Sequence, residues 1–203
     1  DQSRGPLLDK HPELTATTAD GSTFLHNATF GDFYSLCPAN PKSHQLLADM
    51  YVEMMKRYEF DGLNLDRLRF PSAEYCHCNH CKETFKKDNG FALSAFDEGT
   101  TQAEVFLQWK REKLADGVET IVLAVRAARP DADITAYVVG PDEMNEKAQS
   151  WDLWVKRGLL DAIGVSMYGP DIRPAAEKAK KLLGEHSDVL VAAINAGLPD
   201  SSF

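Results

Sequence analysis

Two groups of residues have the types and spacing for chemistry. The first is a cysteine cluster. Of the four cysteines in the chain, Cys76, Cys78 and Cys81 crowd at C-x-C-x-x-C spacing, and Cys37 lies well upstream. A turn of that kind aims several thiolates at one point, and Zn²⁺ accepts four of them in a closed tetrahedral shell. A secreted disulfide scaffold would be shorter and denser in cysteine. Free buried thiols and disulfides remain as the other readings. His77 and His80 sit inside the knuckle and could replace a cysteine as ligand; three cysteines plus Cys37 make the simpler set.

The second group is carboxylates and other polar residues that follow short apolar runs. In parallel α/β sheets, reactive groups sit beyond the C-terminal ends of the strands. The first run delivers Asp66 there, followed by Arg67 and Arg69. The second delivers Asp142 and Glu143, the third Tyr168 and Asp171, the last Asn195 and Asp200. Paired carboxylates flanking a bond are the chemistry of glycoside hydrolysis, in which one acid protonates the leaving oxygen and the other attacks or activates water. Asp66 with Glu143 or Asp142 is the candidate pair; Arg67, Arg69, Tyr168 and Asn195 would bind substrate. Each has a structural rival. Asp66 could pair with a neighbouring arginine, Asp142 and Glu143 could cap a helix, Tyr168 could be core, and Asn195 could merely end a strand. Asp61 begins its run and reads as structural. Trp109, Trp151 and Trp154 fall at helical positions and read as packing. There is no Ser-His-Asp order and no H-E-x-x-H.

The elements that must position these residues follow from periodicity. Residues 1–42 are rich in Gly, Pro, Asp, Ser and Thr and read as long loops with one short extended stretch. Ser43 is a plausible N-cap, and Leu46, Leu47, Met50, Tyr51, Met54 and Met55 recur at helical spacing as the core face of a helix ending near Arg57. Leu63 and Leu65 alternate with polar neighbours as a strand does. The knuckle runs into a helix near Lys82–Lys87 that Asn89-Gly90 stops. The longest helical pattern covers 102–128, with Val105, Trp109, Val118, Ile121, Val122 and Val125 as its stripe and Pro130 beyond its end. Strands at Ile134–Val139, Asp161–Tyr168 and Val189–Ile194 alternate with helices through Trp151 and Trp154 and from Pro174 to Leu183. Strands alternating with helices imply parallel pairing through right-handed crossovers. Either a (β/α)₈ barrel or a doubly wound sheet satisfies that pattern. No glycine-rich phosphate loop follows a strand, which disfavours nucleotide binding. Four βα units are countable, fewer than a full barrel of about 250 residues requires.

Composition narrows the partners. The 203 residues carry a formal net charge of −9, with 43% hydrophobic and 26% charged residues. Those proportions are globular. The acidic balance argues against nucleic acid, which needs basic surface to neutralise phosphates. No apolar run approaches the roughly 18 residues of a membrane-spanning helix, and no charged-then-apolar leader opens the chain. Its start at Asp1 reads as a processed product or an excerpt.

A family resemblance completes the reading. Tyr58-Glu59-Phe60-Asp61-Gly62-Leu63-Asn64-Leu65-Asp66-Arg67-Leu68-Arg69-Phe70-Pro71 resembles the "YDvDGIhlDRiRfP" segment of bacterial glycosyl hydrolase-like family 10 proteins. His11-Pro12-Glu13-Leu14 with Asp20-Gly21, Pro38-Ala39-Asn40-Pro41, and Trp151 followed by Gly158-Leu159-Leu160-Asp161 and Met167-Tyr168 resemble further segments in the same order. The resemblance implies one TIM-barrel domain over residues 1–203, covering about strands four to seven, with Asp66 at the end of strand four and a knuckle insertion around 72–90. It implies a glycoside hydrolase acting on an oligo- or polysaccharide, without organic cofactor, in the cell envelope or secreted. A non-catalytic carbohydrate-binding barrel is the alternative; an amidohydrolase-like metal enzyme ranks last, because no strand-end histidine is present. The knuckle departs from that family and resembles the zinc site of family 42 β-galactosidases, which implies structural zinc on Cys37, Cys76, Cys78 and Cys81. The Asn-Glu pair of those galactosidases is absent, with Leu65-Asp66 in its place, so their activity does not carry over.

Overall fold

The computed structural model describes residues 5–27, 31–95, 97–168 and 171–193. A short helix α1 (Pro6–Lys10) and a 3₁₀ turn (Pro12–Leu14) lead into an antiparallel hairpin of β1 (Phe24–Asn27) and β2 (Gly31–Tyr34). Then come α2 (Pro41–Arg57), β3 (Gly62–Asp66), α3 (Asn79–Asn89), α4 (Thr101–Ala128), β4 (Asp133–Val138), α5 (Trp151–Lys156), β5 (Ala162–Ser166), α6 (Arg173–Leu183) and β6 (Leu190–Ala193). The expected alternation of strands and helices is present. The first 42 residues differ from the loop reading, because they hold α1 and the hairpin. Phe24 is exposed and none of the hairpin's described side chains is buried, so the hairpin has no core face for a sequence pattern to register.

Strands β3 to β6 form one parallel sheet in sequential order. Right-handed crossovers that always step in the same direction lay their helices on one face. Among the described strands there is no reversal of order, which a doubly wound sheet requires. Side chains alternate across a strand, and burial follows. Leu63, Leu65, Ile134, Ala136, Val138, Ile163 and Val165 are buried under the helices, while Asn64, Asp66, Thr135, Tyr137 and Ser166 take the alternate positions. On that second face Thr135 Oγ1 donates to Asn64 Oδ1 at 2.9 Å.

Local chemistry sets the helix ends. Asn40, not Ser43, caps α2: its side chain accepts from the Lys42 N–H at 3.0 Å. Pro41 takes the first helical position, where its missing N–H costs nothing, so the helix starts before Ser43, which is buried inside it. Thr100 Oγ1 accepts from Ala103 N–H to open α4, and Gly90, at φ +80°, closes α3 in the left-handed conformation that favours glycine. Trp109, Val118, Ile121, Val122 and Val125 of the α4 stripe are buried as expected, and so are Trp151 and Trp154. In α2 the buried residues are Ser43, His44, Ala48 and Met55, whereas Met50, placed by spacing on the core face, is exposed.

That rotation has a cause at the α2–α4 contact. His44 is buried, and its Nε2 lies 2.8 Å from the Pro38 carbonyl oxygen. The ring rests on Gly117 of α4, where a Cβ would stand 2.6 Å from His44 Cδ2 and Nε2. An alanine in a helix interior ordinarily gains about 1 kcal/mol over glycine, but overpacking a pinned ring costs about 1–3 kcal/mol. Gly117→Ala is therefore expected to lower stability in urea unfolding; a variant more stable than the parent chain would contradict this packing.

Candidate active site and metal centre

Asp66 is the last residue of β3 and is exposed. Among the described residues no hydrogen bond or ion pair engages its carboxylate, so the expected rival pairing with Arg67 or Arg69 is not made. With Arg67, Leu68 and Arg69 it lines one side of a cavity of ≈430 Å³ whose other walls come from α1, the stretch around Cys37, α2 with His44 and Tyr51, and α4. That volume suits a small ligand. Burial raises the Tyr51 phenol above its ordinary range, and the Asp66 charge adds to the rise. Arg67 turns the chain at φ +57°, a left-handed conformation that is strained for a residue with a Cβ.

The loop beyond β3 is held by the loop beyond β4. Gln149 is buried; its Nε2 donates to Leu68 O and its Oε1 accepts from Val139 N–H, each at 2.8 Å. Phe70 N–H donates to Lys147 O at 3.1 Å, and Lys147 Nζ donates to Pro71 O at 2.8 Å. A lone glutamine in a polar turn, as Gln149 is, carries no signal in the sequence. Tyr137 is hidden there for another reason. It pairs in register with Asp66, and its hydroxyl contacts that of Tyr168, yet within an apolar strand it reads as core.

The four cysteines converge. Cys37, Cys76 and Cys81 are fully buried and Cys78 is 8% exposed, and their sulfurs all lie within 4.8 Å of one another. Cys37 Sγ is 3.4 Å from Cys81 Sγ and 3.7 Å from Cys78 Sγ. A disulfide needs about 2.05 Å, so these are free thiols. Sulfurs at about 2.3 Å from a central ion stand about 3.8 Å apart in a tetrahedron, close to the spacing found. The arrangement can hold a metal ion. Backbone N–H groups of Thr17 and Cys78 reach Cys76 Sγ at 3.4 and 3.5 Å, as they would a thiolate. Hydrogen bonding from Cys37, Cys76 and Cys81 holds the Cys78 thiol down, while contact with Cys76 and Cys78 pushes Cys37 up and contact with Cys37 pushes Cys81 up. One thiolate opposes the next unless a cation joins them. The histidines take no part: His77 Nε2 sits 2.8 Å from Ser94 O, and His80 Nε2 3.3 Å from Ala39 O.

The remaining predicted residues are dispersed. Asp142 is exposed and paired with Lys178 of α6. Glu143 is exposed in the turn after β4, its N–H donating to Gly140 O. Neither lines the cavity with Asp66. Tyr168 is exposed beyond β5, and Asp171 accepts from the N–H and side chain of Arg173 at the start of α6. Asn195 and Asp200 lie outside the described residues. Among the described residues no helix is long and apolar enough to cross a membrane.

One-sided sheet, sequential strands and a strand-end cavity define a singly wound parallel α/β domain with its candidate site beyond the C-terminal ends of the strands. The chain belongs to the glycosyl hydrolase-like 10 family, whose profile matches residues 2–198. It is 27% identical over 153 residues to glycosyl hydrolase DigH of Escherichia coli (strain K12), covering 73% of this chain and 35% of that protein. DigH of Escherichia coli O6:H1 is 22% identical over 164 residues with the same coverage. The chain thus spans 35% of the length of these relatives. In fold it is similar to the PgaB (BpsB) glycoside hydrolase domain from Bordetella bronchiseptica, with a TM-score of 0.67, 14% identity, and coverage of 89% of this chain and 54% of that one.

The shared cavity makes a spectroscopic prediction. Asp66→Asn removes the charge next to Tyr51 and leaves its burial intact, so the Tyr51 phenol should titrate lower, though still above an exposed tyrosine. Carbon-13 NMR of ring-labelled tyrosine reads this directly; an unmoved Tyr51 would contradict the placement of Asp66.

Proposed function

We propose that the chain is part of a glycoside hydrolase of TIM-barrel architecture, supplying about strands four to seven, with Asp66 as a catalytic carboxylate. The observation that carries this reading is the unpartnered Asp66 at a parallel strand end, lining a cavity together with Arg67 and Arg69. Family membership and the fold of a glycoside hydrolase domain support it. The sequential, one-sided sheet supports the barrel, because further strands in the same order would close it around the face that bears Asn64, Thr135 and Tyr137. Glycoside hydrolysis needs a second carboxyl group. The loop after β4 supplies Glu143 and Asp142, and Glu143 is the better partner because Asp142 is engaged by Lys178. Arg67, Arg69 and Tyr168 would orient an oligo- or polysaccharide, and Asn195 belongs to the same proposed rim. An envelope or secreted location goes with this reading on family resemblance alone. Asp66→Asn should cut hydrolysis of oligosaccharides by about 10²–10⁴-fold while the unfolding midpoint stays put, since Asp66 is exposed and holds nothing; retained turnover would sink the assignment.

One observation favours the alternative of carbohydrate binding without catalysis: neither Asp142 nor Glu143 lines the cavity with Asp66. Calorimetry that finds glycan binding while mass spectrometry finds no product would select it.

The metal at the four cysteines is proposed to be zinc, held for structure. Four thiolates fill a tetrahedral shell and leave no position for an activated water, so the ion would pin the loop rather than take part in hydrolysis. Protein purified without chelator should contain about one zinc per chain. Absence of zinc together with four freely titrating thiols in the folded chain would refute this.

A further inference from the structure

Lys110, in the middle of α4, is fully buried. Its Nζ donates to the Ala73 carbonyl at 2.7 Å and stands 4.6 Å from the Phe106 ring centroid and 5.4 Å from that of Phe70. Ala73 lies just ahead of Cys76, and Phe106 packs edge-on against His77 at 5.4 Å between centroids, so the ammonium sits against the knuckle. An ammonium withdrawn from water costs several kcal/mol unless an anion compensates it. Burial holds Lys110 down to about 7 even though charge on Cys76 and Cys81 offsets part of the fall.

The cluster has the complementary need. Four thiolates outnumber the charges of a divalent ion by two, and this excess sits among buried residues. The N–H groups of Thr17 and Cys78 turn toward Cys76 Sγ but bring no net charge. We infer that Lys110 is the buried counter-charge of the metal–thiolate cluster, a positioning residue that sets how tightly the four cysteines hold their ion. This rests on the zinc reading above. The ammonium offsets part of the excess negative charge, and the metal-loaded cluster in turn stabilises an ammonium that the metal-free chain holds at a cost.

A thermodynamic cycle tests it. Zinc affinity is measured by competition with a chromophoric chelator, and stability by urea unfolding of chelated and zinc-loaded forms, for the parent chain, Lys110→Met and Lys110→Gln. Methionine keeps an unbranched apolar stem, and glutamine keeps a donor for Ala73. Both should weaken zinc binding about tenfold or more and lower the stability of the zinc-loaded form, while the chelated form is as stable as the parent or more so. Equal loss in both forms, with zinc affinity unchanged, would assign Lys110 to packing alone and overturn the inference while leaving the zinc site standing. A parent chain that binds no zinc would overturn both. Glutamine keeps the test open should the methionine variant fail to fold.

Discussion

Four buried sulfurs brought within reach of one cation constrain most of what surrounds them. Cys37 closes the stretch after β2 and stands just ahead of the Asn40 cap, so its position fixes where α2 begins. Cys76, Cys78 and Cys81 open α3 and fix the far end of the loop that leaves β3. That loop spans from Asp66 to the knuckle and has few conformations left once both ends are held. The sulfurs do not hold themselves together: ionisation at Cys78 opposes ionisation at Cys37 and Cys81, and a cation turns that repulsion into attraction. Cys37 lines the same cavity as Asp66, so the four-cysteine cluster and the candidate active site share a wall.

The sheet imposes the second constraint. Because β3 to β6 add in sequence, one face is packed under helices and the other bears Asn64, Asp66, Thr135 and Tyr137. Leu63 and Leu65 anchor β3 in the core, and by the period of two this turns Asp66 to the opposite face. Gln149 then ties the loop after β3 to the end of β4 through two buried hydrogen bonds. The strained Arg67 backbone sits between these restraints. Strain of that kind persists where the surroundings over-determine it, and here the end of β3 on one side and the Gln149 clasp at Leu68 on the other do so.

Much of this was legible from side-chain types. Alternation of Leu63 and Leu65 gave β3 and its exposed end, and the stripe from Trp109 to Val125 gave α4. C-x-C-x-x-C spacing with Cys37 pointed to the four sulfurs that cluster, because cysteine has few reasons to crowd. What escaped depends on contacts between distant segments. His44 against Gly117 rotates α2 and exposes Met50, and nothing local to α2 encodes the ring's partner. Asn40 won the cap from Ser43 because Pro41 lets the helix start early, a rule visible in the sequence but outweighed by serine's cap preference. The hairpin lacks a buried face of its own. The placement of Asp142 and Glu143 is the least legible feature, since they sit in a turn next to Lys178 and the clasp through Gln149.

A metal held on the four cysteines would fix the loop that carries the candidate site. Hydrogen–deuterium exchange of the chain before and after metal chelation tests it most directly. Amides from Cys37 to His44 and from Arg67 to Cys81 should lose protection on chelation, while Ile134–Val138 and Ile163–Val165 in the sheet keep theirs. Unchanged protection around Arg67–Cys81 after the metal has been removed would contradict it.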